Sequence, residues 1–148
     1  MEFRELNKAD IPSLLELYVQ LSDENDGFDM QKATEIWAEE IESNKNIHYF
    51  GAVEDGQVVS TCYCVIIPNL TRGCRSICFI ENVVTRKDFR KQGLGRKVIE
   101  MAVETARKNN CFKVILQSGS GRKEAHKFYE ELGFAGDTKK AFDMRLKD

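Results

Sequence analysis

The 148-residue sequence predicts an α+β domain in which a mixed β-sheet is flanked by helices, in the order βααβββαβαβ. Three observations lead to this class. Strand-like and helix-like apolar patterns alternate along the chain, the dipeptide Asp55–Gly56 marks a tight hairpin, and one strand is apolar on both faces, as a central strand is. The length and the lack of any repeat or linker favour one domain over residues 1–148.

The first half of the chain is predicted to contain a strand, two amphipathic helices and a hairpin. Asp10 is placed to cap the first helix, and the second helix runs from about Met30 to Asn44. The strands are Met1–Leu6 and two runs between His48 and Ile67, which flank the hairpin turn.

The second half of the chain alternates strands with helices. Gly133 is predicted to end the last helix, and an apolar-polar alternation predicts a final strand after it. In order, the elements are strand Arg75–Thr85, helix Gly93–Asn109, strand Phe112–Gln117, helix Lys123–Leu132 and a last strand that contains Phe142, Met144 and Leu146.

Composition and charge exclude several classes of protein. Hydrophobic residues make up 42% and charged residues 31% of the chain, which is the balance of a compact globular protein. With 22 basic against 24 acidic residues, the chain lacks the positive field of a nucleic-acid-binding protein. No apolar run reaches the roughly 20 residues of a membrane span, and the N-terminus is charged where a secretion signal is apolar, so we expect a cytoplasmic protein.

The five cysteines are an odd number and indicate reduced thiols. Their spacings do not form the C-x-x-C turn of structural zinc sites, so we expect small buried side chains and no metal site. These residues are Cys62, Cys64, Cys74, Cys78 and Cys111.

The most informative segment is Thr85–Val98, TRKDFRKQGLGRKV, where a strand ends, a basic loop turns and two glycines lead into a helix. The first N–H groups of a helix have no internal partner and lie at the positive end of its dipole, so they bind phosphate. Gly93 and Gly95 would let a phosphate approach the backbone closely. A Rossmann fingerprint needs a third glycine where Val98 stands, and the P-loop pattern is absent, whereas an ordinary solvated helix start remains the alternative.

Together with its surroundings, this segment resembles a known family. Arg90–Gly95, RKQGLG, is similar to the acetyl-CoA signature Arg/Gln-x-x-Gly-x-Gly/Ala of the GNAT superfamily of N-acetyltransferases. Ile80–Thr85 and Ala125–Phe134 resemble segments of the same family. The resemblance implies a GNAT-like, centrally splayed sheet, with the pantetheine of acetyl-CoA between the strands at Val83–Thr85 and Phe112–Gln117. Unpaired backbone groups there would bind the pantetheine amides as they would an added strand.

The candidate catalytic residues handle protons. Glu81, on the central strand in apolar surroundings, is the candidate general base, and Tyr129, on the inward face of the last helix, is the candidate general acid. The alternatives are a carboxylate that pairs with a neighbour and a core tyrosine. A strand bulge would turn the N–H near Val83 toward the thioester as oxyanion donor. Candidate cofactor contacts are Val83, Val84, Thr85, Arg90, Lys91, Gln92, Gly93, Leu94, Gly95 and Arg96.

The acceptor is defined by the sequence only as an amine. An acidic cluster between the first two helices would suit a cationic amine, or it faces water as an ordinary turn. The cluster consists of Asp23, Glu24, Asp26 and Asp29. The sequence therefore predicts direct transfer of acetyl from acetyl-CoA to a primary amine of a small molecule or peptide. The alternative is an inactive acyl-CoA-binding sensor, and homodimerisation stays open.

Overall fold

The computed structural model describes residues 1–21 and 27–146. Within these residues, five strands and four α-helices follow one another in the order βααβββαβα. A π-helical turn, Trp37–Ile41, continues the second helix. The bounds are β1 Glu2–Glu5, α1 Ile11–Tyr18, α2 Met30–Ile36, β2 Ile47–Glu54, β3 Gln57–Ile67, β4 Ile77–Thr85, α3 Leu94–Lys108, β5 Lys113–Leu116 and α4 Lys123–Glu131.

The chain divides into two compact units. Met1–Leu116 contains the sheet and α1 to α3, and Gln117–Asp148 contains α4. Among the described residues, no helix combines the length and the apolar character that a membrane span requires.

The strands form one mixed sheet in the order β1-β2-β3-β4-β5. The first three pairings are antiparallel, and β4 pairs with β5 in parallel. Asp55 and Gly56 form the β2–β3 turn with φ angles of 50° and 75°, the left-handed angles that a two-residue type I′ turn requires. The predicted hairpin and the predicted mixed α+β class are therefore confirmed.

Helices cover both faces of this sheet. Because adjacent strand residues point to opposite faces, Val53 lies in the cluster formed with α1 and α2, whereas Ala52 packs with Leu94 of α3. Trp37 belongs to the first cluster, and its buried ring meets Tyr49 edge-on with 5.0 Å between ring centroids. Full burial of one large apolar side chain stabilises the fold by about 1.5–3 kcal/mol, so these two clusters hold the helices on the sheet.

A buried carboxylate, that of Asp10, joins β1 to the turn before α1. Its oxygens accept hydrogen bonds from both terminal guanidinium nitrogens of Arg4, at 2.7 and 2.9 Å, and from the backbone N–H of Asn7, at 2.8 Å. The bonds from Arg4, followed by the bond from Asn7, lower the pKa of the Asp10 carboxyl. Asp10 occupies the predicted N-cap position of α1, but its side chain makes no cap hydrogen bond, because its backbone is already helical (φ −83°, ψ −11°) and its carboxylate accepts from the preceding Asn7 N–H instead.

The predicted last strand does not form, since residues 139–146 contain no strand. Phe142, Met144 and Leu146 alternate as predicted but are exposed by 87%, 82% and 89%. Apolar alternation gives a segment one apolar face, but a strand also needs an edge to pair with, and the pattern does not supply one.

All five cysteines are free thiols. Cys62, Cys64 and Cys78 are fully buried, as expected for small apolar side chains. Cys111 is half-buried, whereas Cys74 is exposed, so the expectation of a buried side chain is wrong for Cys74. Cys74 lies in the β3–β4 connection at a left-handed φ of 61°, outside both strands.

Candidate active site

The pairing of β4 with β5 ends halfway along β4. The register runs from Ile77 opposite Lys113 to Ile80 opposite Leu116, where β5 ends. Residues 81–85 of β4 therefore have no partner on β5 in the described chain. This leaves the free backbone edge that the predicted splay of the sheet requires.

On its other side, β4 carries a bulge at this level. Tyr63 pairs with Glu81 and Thr61 pairs with Val84, so Cys62 alone faces two β4 residues. One of these two, Asn82, adopts a left-handed φ of 51°. A bulge leaves its extra residue outside the hydrogen-bond ladder and turns its backbone groups away from the strand direction. The structure thus contains the bulge predicted near Val83.

Glu81 lies directly before the bulge on the sheet face covered by α1 and α2. Its strand partner Tyr63 stacks on Tyr49, with 4.6 Å between ring centroids, and Tyr49 packs against that helical cluster. Burial raises the pKa of the Glu81 carboxyl, which is half-buried. Burial also raises the pKa of Tyr63, and the charge of Glu81 adds to this effect. A carboxylate with a raised pKa is a stronger base than one in water, so Glu81 can accept a proton from an amine.

The loop after β4 opens onto the start of α3. Gly93 precedes the helix with a left-handed φ of 78°, and a Cβ built on it meets no atom within 4 Å. The first intrahelical bond runs from the Lys97 N–H to the Gly93 carbonyl at 3.2 Å. The N–H groups of Leu94, Gly95 and Arg96 precede that bond and have no helical acceptor, so they can bind an anion placed at this end of the helix.

Several of the predicted cofactor-contacting side chains are already buried or paired within the protein. Leu94 and Val84 are buried in the apolar clusters. The Thr85 hydroxyl is hydrogen-bonded to Ser60 at 2.7 Å, and the Arg96 guanidinium is paired with Glu100 at 3.0 Å.

Three exposed residues of the loop lie next to this anion-binding start of α3. The Arg90 Nε donates to the Thr85 carbonyl at 3.3 Å, which holds Arg90 near the end of β4. Lys91, at a left-handed φ of 63°, and Gln92 are exposed beside Gly93. The chain therefore supplies basic side chains at the rim and unpaired peptide N–H groups at the base.

Tyr129 belongs to the second unit, where it lies on α4. Its ring is half-buried and contacts Phe128 and Phe134, with centroid distances of 5.3 and 6.2 Å. The His126 Nε2 lies 2.7 Å from the Gly119 carbonyl oxygen, which connects α4 to the preceding loop. These ring contacts agree with the alternative that Tyr129 is a packing residue of the core. The role of Tyr129 as general acid stays a prediction.

The acidic cluster proposed for the acceptor is only partly described. Asp23, Glu24 and Asp26 lie outside the described residues. Asp29 caps α2 by accepting a hydrogen bond from the Lys32 N–H at 3.0 Å, so its carboxylate has a structural task at the helix start.

Two residues at the site were not singled out from the sequence in this role: Tyr63 and Asn82. Tyr63 follows from the strand register, which a sequence does not state. A signal did exist for Asn82, because asparagine is depleted in strands and tolerates left-handed φ, so its place inside an apolar strand indicates a bulge.

Comparisons with known proteins agree with this geometry. Residues 11–134 match the model of the acetyltransferase (GNAT) family. The glucosamine 6-phosphate N-acetyltransferase of Trypanosoma brucei brucei is 39% identical over 79 residues, which are 53% of this chain and 52% of that protein. The enzyme of that name from Arabidopsis thaliana is 32% identical over 100 residues, which are 66% and 65% of the two chains. The matches thus span between half and two thirds of these relatives.

A solved structure extends the similarity over nearly the whole chain. A protein assigned as an acetyltransferase from Agrobacterium tumefaciens str. C58 superposes with a TM-score of 0.92 at 38% identity, covering 99% of this chain and 100% of that one. The family match agrees with two features of the structure, the bulge in β4 and the left-handed Gly93 that precedes α3. The chain therefore belongs to the GNAT family of acetyltransferases.

Proposed function

We propose that this protein is an N-acetyltransferase that passes the acetyl group of acetyl-CoA directly to a primary amine of a small molecule or peptide. The observation that carries the proposal is the arrangement along β4, where half-buried Glu81, the bulge and the free edge follow one another and lead to the start of α3. The names of the relatives, which include amino-sugar N-acetyltransferases, support transfer to an amine.

The described residues fit such a donor. The open space at Gly93 and the unpaired N–H groups at the start of α3 suit a diphosphate, and the free edge of β4 suits the pantetheine amides. Bound acetyl-CoA would supply an activated thioester and a thiolate leaving group. Arg90 and Lys91 at the rim would add charge to the phosphate contacts.

The chain's own groups then move protons and stabilise charge. Glu81 accepts a proton from the ammonium of the acceptor through a water, which frees the nitrogen lone pair for attack. A backbone N–H at the bulge donates to the carbonyl oxygen as negative charge develops on it. The departing sulfur needs a proton as the new C–N bond forms and the C–S bond breaks, and the Tyr129 phenol is the candidate donor.

The test is release of free CoA in the presence of an acceptor panel. The panel contains glucosamine 6-phosphate, an aminoglycoside, a polyamine, an amino acid and a short peptide with a free N-terminus. We expect saturable turnover with at least one amine and a loss of about 100-fold or more in kcat for Glu81→Gln, the size of a general-base contribution. Glu104→Gln, which changes an exposed carboxylate on α3, is the matched control and should keep wild-type turnover.

A CoA-binding sensor without turnover is the competing function. It predicts saturable binding of CoA by calorimetry together with no release of CoA for any amine. Binding of ATP in preference to CoA would contradict both functions, because both depend on recognition of CoA. The loop also lacks the P-loop pattern of nucleotide-binding proteins.

A further inference from the structure

The segment of residues 139–146 presents an apolar face to solvent. Phe142, Met144 and Leu146 each stay more than four-fifths exposed, although all three residue types are usually buried. No backbone group of this segment pairs with another backbone group of the described chain. A single exposed apolar side chain needs no explanation, but three in one alternating row indicate a surface that another molecule covers.

The charged residues of the segment lie on its other face. The Arg145 Nε donates to the Asp143 carboxylate at 3.1 Å, and both side chains are mostly exposed. Side chains two positions apart share a face in an extended chain, whereas on a helix they do not meet. This contact therefore places Asp143 and Arg145 on one face and the three apolar side chains on the opposite one.

The sequence FDMRL, from Phe142 to Leu146, is complementary to itself. Two copies can run antiparallel with Met144 opposite the same residue of the other copy. Phe142 then lies opposite Leu146, and Asp143 lies opposite Arg145, in both directions across the two-fold axis. Apolar pairs and pairs of opposite charge both stabilise neighbouring strands. A register shifted by one residue would place apolar side chains opposite charged ones.

We propose that residues 139–146 form an interface between two copies of this chain, in which the two segments pair as antiparallel strands about a two-fold axis at Met144. The partner is a second copy because the segment supplies both members of each charge pair, as a symmetric interface requires. Backbone groups that are unpaired in the single chain then form the ladder between the strands. Two strands alone are marginally stable in water, so we expect a weak dimer that depends on concentration.

The first experiment measures the dimer dissociation constant of the full chain by analytical ultracentrifugation. We expect a reversible monomer–dimer equilibrium for the wild type. Asp143→Arg and Arg145→Asp each place two pairs of like charges opposite one another and should weaken the dimer by about 10-fold or more. Mixing these two variants restores opposite charges across the axis, so the mixture should associate about as tightly as the wild type. Glu104→Arg makes the same change of charge at an exposed position of α3 and should keep the wild-type constant.

The second experiment tests the register by cross-linking. Both variants carry Cys74→Ser, which removes the exposed native thiol. Met144→Cys brings two thiols opposite each other, with Cβ atoms about 4.5–5.5 Å apart, close to the geometry of a disulfide. Oxidation with copper phenanthroline should therefore give a covalent dimer on a non-reducing gel. Phe142→Cys places its two thiols roughly 13 Å apart and should stay monomeric on the gel.

Three results would overturn the proposal. The first is a wild-type chain that stays monomeric at every concentration. The second is a dimer whose dissociation constant is the same after either charge reversal, which would locate the contact elsewhere, for example at the edge of a sheet. The third is equal cross-linking of Met144→Cys and Phe142→Cys. None of these measurements involves turnover, so they decide the interface independently of the proposed function.

Discussion

Replacing Gly93 by alanine tests the site at the start of α3. A Cβ at this position meets nothing within 4 Å, so the cost to the free protein is that of the backbone angle, φ 78°, and not of a clash. A left-handed angle costs a residue with a Cβ about 1–2 kcal/mol. In a chain of this length that lowers the melting temperature by roughly 3–6 °C. The added methyl group would also stand in the space proposed for the diphosphate.

A second glycine offers a matched control. Gly56, in the β2–β3 turn, has φ 75°, and its Cβ would also meet nothing within 4 Å, so Gly56→Ala should lose the same stability. Calorimetry with CoA should show a Kd at least about 10-fold weaker for Gly93→Ala, the loss of one hydrogen bond to a charged oxygen. Gly56→Ala should keep wild-type affinity. Equal affinity in the two variants would refute phosphate binding at this helix start.

Three further outcomes are expected. Because burial raises the pKa of Glu81, the acid limb of kcat should fall at a higher pH than a solvated glutamate would give, and Glu81→Gln should abolish this limb. Tyr129→Phe should slow turnover and leave the affinity for acetyl-CoA near wild type; unchanged rates would remove it from the mechanism. Asp10→Asn should lose about 2–3 kcal/mol of stability at pH 7 in urea unfolding, because it weakens the bonds from Arg4. Since the folded pKa of Asp10 is lowered, its stabilisation is complete above the unfolded value and disappears as pH falls through the folded one, so the difference between wild type and variant should disappear in acid.

Local sequence patterns predicted the fold correctly where residues adjacent in the sequence determine the structure. Asp55–Gly56 needs only its two residues to form a turn, and the predicted turn is confirmed. The alternation of Phe142, Met144 and Leu146 is just as regular, but pairing depends on a distant edge, so the predicted strand does not form. Short-range chemistry is readable in a sequence, whereas strand pairing is decided elsewhere.

The candidate site also has a part that local sequence predicts and a part that depends on long-range contacts. Gly93 and the helix after it were predicted because phosphate binding uses consecutive residues. The neighbourhood of Glu81 was not, since Tyr63 lies opposite it only through the register of β3 on β4.

Trp37 is the single tryptophan of the chain and is 5% exposed. Its ring contacts Tyr49, which in turn stacks on Tyr63, the strand partner of Glu81. Intrinsic fluorescence of the unlabelled protein therefore reports on one place, the packing of the helical layer over the sheet face that carries Glu81. A blue-shifted emission that resists quenching by acrylamide indicates an intact layer, so the Glu81 and Asp10 variants can be checked in this way before their measurements are interpreted.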